Sequence, residues 1–337
     1  MIMLNELQIK YNMKVSKGVN CFFSNMRDLV NHILDMNLQE HSFFFISGSH
    51  EFAYYGDNEN PVDNFHIQSL HDSVLRICQY FNMDCNFFLK SNDDAVSFLE
   101  DCISNSQPAL LIADSKLFTY QTPPDYLKNT AAKHMVLIRG ADTRKKVFYA
   151  FDTYVYETTD IRDNYEVDLS YDKVQCLSSA AYRIIPREKF NTIGEVRINY
   201  RIILHHYLYA DYQSGINALT AFGDDLERLK TLPNYSVRQY LEDIHYFLKI
   251  RYGFANLYFE NMMDEILYLP EQKAIAAELY EKYLKAWSYL YARLILSNYM
   301  NNPQIVDCVI AGIRQIEECQ KLFLSYLYSH CKDDFMG

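Results

Sequence analysis

The pattern of apolar and polar positions differs between the two halves of this chain. Helical spacing in the first half predicts three amphipathic helices, over residues 21–36, 67–81 and 93–105. Apolar runs bounded by turn residues predict three short strands, over residues 108–115, 134–140 and 146–156. We therefore expect a mixed α+β domain over residues 1–190, which ends near the segment PREKFN.

After this segment the pattern is almost entirely helical. The periodicity predicts six helices, over residues 197–211, 214–230, 236–251, 254–268, 271–300 and 303–331. The breaks between them contain residues that are typical of helix ends: Gly215, Pro233, Gly253, Pro270 and Pro303. Residues 195–337 are therefore predicted to form an all-helical domain. An aromatic stripe from Tyr280 to Leu294 predicts a packing face or, where it is exposed, a homodimer interface.

Composition and charge narrow the classes of function. Of the 337 residues, 49% are apolar and 22% are charged, which is typical of a globular protein with a sizeable core. The formal net charge is −11 and the longest basic run is Arg144–Lys146, so the chain has no nucleic-acid-binding footprint. No segment resembles a signal peptide, and no apolar run is long enough to span a bilayer. We therefore expect a cytoplasmic protein that binds neither nucleic acid nor a membrane.

Eight cysteines are scattered along the chain, without a CxxC pair or the spacing of a zinc site, so no metal is expected. Cys21 differs from the others because it follows Gly18 and falls in the first turn of a predicted helix. The partial positive charge and free N–H groups of a helix N-terminus stabilise a thiolate and can hold a developing oxyanion. The alternative is a cysteine packed into the core, which is the commoner case for a single cysteine.

A second segment, KHMVLIRGADTRKKVFYAFDTYV, predicts a β-hairpin with its turn centred near Thr143. In that register His134 lies opposite Asp152, with Cβ atoms roughly 4.5 to 5.5 Å apart, which lets the carboxylate orient the imidazole. The alternative is that both residues lie at solvent-exposed strand ends. A cysteine at a helix start, then a histidine, then an aspartate on the next strand is the order that a papain-like site requires. The sequence therefore predicts Cys21, His134 and Asp152 as a catalytic triad.

The residue types of this triad predict a mechanism. His134 would take the proton of Cys21, and the thiolate would attack an activated carbonyl to form an acyl-enzyme, which then passes to an amine or to water. A second oxyanion donor is less evident, because the glutamine that precedes the nucleophile in papain-like sites has no counterpart between Tyr11 and Asn20. Ser16 and Asn20 are the candidate substitutes.

The chain resembles the butirosin-biosynthesis-H-type acyltransferases, relatives of papain-fold cysteine peptidases, in three segments: GVNCFFSNMRDLV, PALLIADSKLFTYQTPPDY and KHMVLIRGADTRKKVFYAFDTY. The helical half is similar to that family in three more: QSGINALTAFGDDLERL, RYGFANLYFENMMDEI and AELYEKYLKAWSYLYARLI. The resemblance implies a papain-like (C39-like) fold followed by an all-helical C-terminal domain. It also implies transfer of an acyl group from the phosphopantetheine thioester of a carrier protein to a small amine acceptor. The product would be an amide, and the enzyme would need no cofactor of its own.

Within this group the chain is similar to amide synthases of the closthioamide type, which act in natural-product biosynthesis. Asp114 matches a family aspartate, and Tyr120 and Glu51 are further candidates for contact with the acyl substrate. Glu51 lies in SGSHEFAYYGDNEN, a stretch that is richer in glycine in the family. Carrier proteins are usually acidic, so docking requires a basic patch. The candidates are Lys128, Lys133, Arg139 and the Arg144–Lys146 turn, for which an ordinary solvated turn is the alternative.

Two other classes of function remain open from the sequence. A cysteine peptidase or thioesterase would use the same triad and differ only in admitting water in place of an amine. A non-catalytic binding or scaffold protein on the same fold would not require Cys21, His134 and Asp152 to converge.

Overall fold

The computed structural model describes residues 8–56, 64–67, 69–90, 94–120, 133–154, 165–187, 198–210, 214–229, 241, 245, 248, 253–297 and 304–331. Contacts between residues divide the chain into two compact units. The first unit contains Met1–Ser47 and Leu70–Val196, and the second contains Gly48–Ser69 and Arg197–Gly337. The first unit carries an antiparallel sheet and the C-terminal part is helical, so the predicted α+β class is confirmed.

Nine strands are present in the described residues: β1 Gln8–Lys10, β2 Phe52–Tyr54, β3 Phe65–Ile67, β4 Met83–Leu89, β5 Ala109–Asp114, β6 Lys133–Asp142, β7 Val147–Asp152, β8 Tyr165–Ser170 and β9 Ser178–Pro186. Seven of them form one antiparallel sheet in the order β4-β9-β5-β6-β7-β8, with β1 paired to the end of β6. β6 is therefore a central strand, with β5 and β1 on one edge and β7 on the other. β2 and β3 form a separate hairpin.

The α-helices of the described residues are α1 Cys21–Leu34, α2 Glu40–Ile46, α3 Leu70–Tyr80, α4 Ala95–Ser104, α5 Tyr171–Leu177, α6 Tyr200–Tyr209, α7 Ile216–Leu229, α8 Gly253–Ile266, α9 Pro270–Ser297 and α10 Gln304–His330. A short 3₁₀ turn, Ser115–Leu117, follows β5. Within the part of the chain that the structure describes, no helix is both long and apolar enough to cross a bilayer.

Helix α1 lies inside the first unit rather than on its surface. It packs against β6, and every residue from Phe22 to Val30 is buried, including the charged Arg27 and Asp28. A helix that buries all of its faces is part of a core, so its ends have little freedom to move. The first residue of this helix, Cys21, is therefore held by a rigid element.

The second unit includes the β2–β3 hairpin, which packs against α7. Ala53 forms a backbone bridge with Ser214, and the Tyr54 hydroxyl donates a hydrogen bond to Asp225. The sequence assigned this hairpin to a domain over residues 1–190, whereas the structure places it with the helices. The reason is that its partners are far along the chain, where local periodicity carries no information about them.

The aromatic stripe of α9 is a packing face. Tyr283, Trp287, Leu290 and Leu294 are all buried, and α9 packs along α10. This outcome confirms the first of the two interpretations of the stripe. The homodimer interface stays a prediction.

Several elements of the first unit were not predicted, namely β1, α2, β4, β8, α5 and β9. α2 has the sequence EHSFFFI and β4 has the sequence MDCNFFL, and neither is long enough for its periodicity to distinguish a helix from a strand. The predicted helix over residues 236–251 lies largely outside the described residues, which include only Leu241, His245 and Leu248 of it.

The predicted hairpin of β6 and β7 exists, but its predicted register is wrong. Asp142 rather than Arg139 pairs with Val147, because the turn lies further along the chain. The side chain of Asp142 accepts hydrogen bonds from the backbone amides of Arg144 and Lys145 and so determines where the chain reverses.

A β-bulge at Arg139 gives His134 and Asp152 a common face. If the register at the turn continued without interruption, Asp152 would pair with Leu137, which is an odd number of positions from His134. The two side chains would then point to opposite faces of the sheet. The extra residue at Arg139 shifts the register so that Leu137 pairs with Phe151, and Asp152 returns to the face of His134.

The tight approach of β1 to β6 gives a prediction for Gly140. A Cβ atom at this position would lie 2.0 Å from the carbonyl oxygen of Ile9. Gly140→Ala should therefore displace β1 and lower the free energy of unfolding by about 1–3 kcal/mol, as measured by urea denaturation. Gly223→Ala is the control, because its Cβ would meet no atom closer than 3.5 Å and alanine is favoured inside a helix. Equal stability of the two variants would contradict this account.

Candidate active site

Cys21 is the first residue of α1, and the residues just before it shape the helix N-terminus. Asn20 is the N-cap, and its side-chain oxygen accepts hydrogen bonds from the amides of Phe22 and Phe23 at 2.8 and 3.3 Å. The backbone amide of Cys21 has no hydrogen-bond acceptor among the described residues. The cap therefore satisfies the neighbouring donors and leaves the amide of Cys21 available to an oxyanion.

His134 and Asp152 form a buried pair. The Nε2 atom of His134 lies 2.7 Å from Oδ2 of Asp152, and their side chains are 4% and 0% exposed. The Cys21 thiol is within hydrogen-bonding reach of the same imidazole. Because Nε2 faces Asp152, Nδ1 is the nitrogen that remains for Cys21. The structure thus brings together the three residues that the sequence selected from α1, β6 and β7.

The electrostatics of this group favour a protonated imidazole. Burial opposes the charged form of His134, but the negative charges of Asp152 and Cys21, together with hydrogen bonds to both, outweigh it. The net effect is to raise the pKa of His134 to about 10. An imidazolium beside a cysteine is the partner that a thiolate needs.

Among the described residues, two further donors form hydrogen bonds to Asp152. The hydroxyl of Tyr120 donates to Oδ2 of Asp152 at 2.7 Å, and the backbone amide of Tyr154 donates to Oδ1 at 3.0 Å. The ring of Phe118 meets the ring of His134 edge to face, with centroids 5.0 Å apart. Both members of the pair are therefore held in orientation by residues outside it.

Hydrogen bonds join the cysteine helix and the loop before it to the strands of the pair, among them one between the hydroxyls of Ser24 and Thr153 at 2.6 Å. Nδ2 of Asn25, one turn after Cys21, donates to the carbonyl of Cys21 at 2.6 Å and to that of Met135 at 3.0 Å. The amide of Gly18 donates to the carbonyl of Thr153 at 2.9 Å. These contacts connect Cys21 to the direct neighbours of His134 and of Asp152.

A buried group of charges supports the loop before Cys21. Glu40 accepts hydrogen bonds from the amides of Val19 and Asn20, and its Oε2 lies 3.6 Å from Arg27. Arg27 also pairs with Asp28 at 2.8 Å. Burial raises the pKa of Asp28 despite the hydrogen bond from Arg27 and its positive charge, so the desolvation of this carboxyl group is substantial.

The two oxyanion candidates have other roles in this structure. Ser16 is exposed, its amide donates to Asp28 at 3.1 Å, and its carbonyl accepts from Arg27. The side-chain oxygen of Asn20 serves as the helix cap described above. An oxyanion donor role for the Ser16 hydroxyl or the Asn20 side-chain NH2 stays a prediction, and the amide of Cys21 is a further candidate.

The structure also gives the positions of the three residues that were predicted to contact the substrate. Asp114 caps the 3₁₀ turn through a 3.0 Å hydrogen bond from the amide of Lys116, and Tyr120 contacts Asp152. Glu51 belongs to the second unit, where its amide donates to the carbonyl of Gly48. Substrate contact by these residues stays a prediction.

One residue of the predicted basic patch does not lie on the surface. Arg139 is buried, its guanidinium lies over the ring of Phe151, and it pairs with Glu166 at 2.7 Å. It is therefore unavailable to a docking partner. Lys133 and the Arg144–Lys146 turn are exposed, and Lys128 lies outside the described residues.

Sequence reasoning missed Asn25, Glu40 and Thr153. Asn25 lies one helical turn after Cys21, between the apolar Phe22 and Leu29 on the helix surface, which is a usable signal for a buried polar contact. Glu40 and Thr153 give no such signal, because their partners are remote in sequence. Among the described residues, no group of three His, Cys, Asp or Glu side chains is arranged to hold a metal ion.

In comparisons with known proteins, no protein-family model and no curated protein matches this chain.

The protonation of His134 gives a testable expectation. In the wild type, burial alone would disfavour the imidazolium, but Asp152 and Cys21 keep it charged until the pH approaches about 10. Asp152→Asn removes the larger counter-charge and leaves the burial, so the titration midpoint of His134 should fall by several units. NMR of ¹⁵N-labelled histidine measures it, with the signal assigned through His134→Gln. Asp94→Asn, at the exposed cap of α4, should leave it unchanged. An unshifted midpoint in Asp152→Asn would contradict the pairing.

The support of the nucleophile loop gives a second expectation. Glu40→Gln preserves shape but removes the charge that binds the loop amides and faces Arg27. The free energy of unfolding should fall by about 2 kcal/mol or more, as measured by urea denaturation. Glu278→Gln is the matched control, because Glu278 forms an exposed pair with Lys282 that is worth less than about 1 kcal/mol. Similar losses in the two variants would show that the buried group does not stabilise the loop.

Proposed function

We propose that this protein is a cysteine-dependent acyl-transfer enzyme with a papain-like catalytic unit. The observation that carries the proposal is the convergence of Cys21, His134 and Asp152, with the imidazole in contact with both partners. The proximity of a thiol to an imidazole that is oriented by a carboxylate is the arrangement that activates a cysteine nucleophile.

Within that class, we propose an amide-forming acyltransferase. The resemblance to the butirosin-biosynthesis-H-type family supports a thioester donor carried on phosphopantetheine and a small amine as acceptor. The same resemblance supports a narrower proposal, namely an amide synthase of the closthioamide type. All eight cysteines are free, which agrees with a reducing compartment such as the cytoplasm.

The acylation step follows from the positions of the groups. The Cys21 proton moves to Nδ1 of His134, and the thiolate attacks the thioester carbonyl carbon. The carbonyl oxygen becomes an oxyanion, for which the Cys21 amide is the available donor. When the tetrahedral intermediate collapses, the bond to the donor sulfur breaks, and His134 returns its proton to the departing thiolate.

The deacylation step repeats this sequence with an amine. The amine nitrogen attacks the acyl-Cys21 carbonyl, His134 takes the proton that the nitrogen loses, and the Cys21 sulfur leaves as thiolate. The products are an amide and the enzyme in its starting state. Asp152 stays ionised and holds the imidazole in orientation throughout.

The proposal predicts an acyl adduct at one cysteine. The purified protein is incubated with a panel of acyl-phosphopantetheine thioesters, from acetyl to octanoyl and benzoyl, and its intact mass is measured. Wild type should gain one acyl group, whereas Cys21→Ala should gain none. The matched control is Cys176→Ala, since Cys176 is exposed and lies outside the site. His134→Ala and Asp152→Asn should lower the acylation rate by about 10²–10⁴-fold.

The fate of the adduct separates the competing functions. An adduct that persists in buffer and is discharged to an amide by added primary amines supports the transferase. An adduct that is released as free acid at the same rate with and without amines favours the peptidase or thioesterase alternative. A Cys21 that neither acylates nor reacts with iodoacetamide faster than Cys176 would overturn the catalytic proposal and favour the non-catalytic scaffold.

A further inference from the structure

The segment that follows β5, as far as Tyr120, reaches the His134–Asp152 pair. Asp114, at the end of β5, caps the 3₁₀ turn Ser115–Leu117 by accepting a hydrogen bond from the amide of Lys116. The turn directs the next residues to the pair, where Phe118 meets the His134 ring and Tyr120 meets Asp152. Phe118 and Tyr120 also contact each other edge to face, with ring centroids 6.1 Å apart.

One carboxylate oxygen serves two donors at this point. Oδ2 of Asp152 lies 2.7 Å from Nε2 of His134 and 2.7 Å from the hydroxyl of Tyr120. A carboxylate oxygen has two lone pairs and can accept both hydrogen bonds. Each donor withdraws electron density from that oxygen, so the strength of one bond depends on the presence of the other.

We propose that Tyr120 is a positioning residue that shares Oδ2 of Asp152 with His134 and thereby limits the negative charge that Asp152 presents to the imidazole. Phe118 completes the arrangement by holding the plane of the imidazole. The segment from Asp114 to Tyr120 thus acts on the His–Asp pair, and not on a substrate.

Sharing of Oδ2 matters most when His134 returns the proton that it has taken from Cys21. A histidine that holds its proton too firmly takes it from the cysteine readily but returns it slowly to a leaving group. Among the described residues, the titratable groups that face His134 are Cys21 from α1, Asp152 from β7 and Tyr120, while β5 opposes it with the apolar Ala113. Of these groups, Tyr120 is the one that weakens the hold of the carboxylate on the imidazolium proton.

This role differs from substrate contact, which the sequence predicted for Tyr120. A substrate-binding tyrosine would affect the Michaelis constant and leave the titration of His134 unchanged. A tyrosine that shares the carboxylate oxygen would change the titration of His134 even in the absence of substrate. The two roles therefore give opposite results in the same pair of measurements.

The first measurement is the NMR titration of His134 in the free protein, which does not depend on any activity. Tyr120→Phe removes the hydroxyl and keeps the ring, so the titration midpoint of His134 should rise by roughly 0.5–1 unit. Tyr11→Phe is the matched control, because it removes a tyrosine hydroxyl that donates at 2.7 Å to the backbone carbonyl of Ile103, away from the pair. A midpoint in Tyr120→Phe that equals that of the control, or that falls, would overturn the proposal.

The second measurement rests on the proposed function and follows transfer from an acyl-phosphopantetheine thioester. Tyr120→Phe should lower kcat and move the pH profile of kcat/KM upward, with KM for the thioester unchanged. A raised KM with an unchanged pH profile would assign Tyr120 to substrate binding and reject the positioning role. If the wild type forms no adduct but the His134 midpoint still rises in Tyr120→Phe, the positioning role holds and only the proposed function fails.

Discussion

The buried carboxylate of Asp152 is the constraint around which the site is organised. Its side chain is fully buried, and a carboxylate removed from water is tolerated only when it is paired and hydrogen-bonded. Its donors among the described residues come from three places: the imidazole of His134 on β6, the hydroxyl of Tyr120 after β5, and the amide of Tyr154 just beyond β7. Satisfying this one charge brings these segments together and orients the imidazole.

Cys21 is held by a different kind of support. The loop before Cys21 rests on the buried charges of Arg27, Asp28 and Glu40, which bind its backbone groups directly. Neutral hydrogen bonds, from Asn25 and from Gly18, then connect this half of the site to the half that contains Asp152. Since α1 is buried on all sides and β6 is central in the sheet, both halves lie on rigid elements, which is what precise placement of reacting groups requires.

Under the proposed function, the same geometry would serve amide formation and hydrolysis, because Cys21, His134 and Asp152 would act on the carbonyl and not on the acceptor. What separates the two reactions is whether an amine or water reaches the acyl-enzyme, so the choice depends on access to Cys21 and not on its activation. The proton balance at His134 would affect both of these proposed reactions. In the proposed reactions, specificity would therefore depend on the residues that face the acyl group. The rate would depend on Asp152 and Tyr120.

The sequence by itself determined the elements with long or strongly periodic patterns, including α1, β5, β6 and most of the C-terminal helices, and it selected Cys21, His134 and Asp152. It could do so because helical and strand periodicity are local properties, and because the order of these residue types is the one that a papain-like site requires. It placed the hairpin turn wrongly, since the side-chain contact of Asp142 with the turn amides decides where the chain reverses. Only the tertiary structure decided the face on which His134 meets Asp152, because a single extra residue at Arg139 reverses the alternation of a strand. It alone also decided the roles of Glu40, Thr153 and Tyr120, whose partners are distant in the chain and become neighbours only when the sheet and α1 pack together.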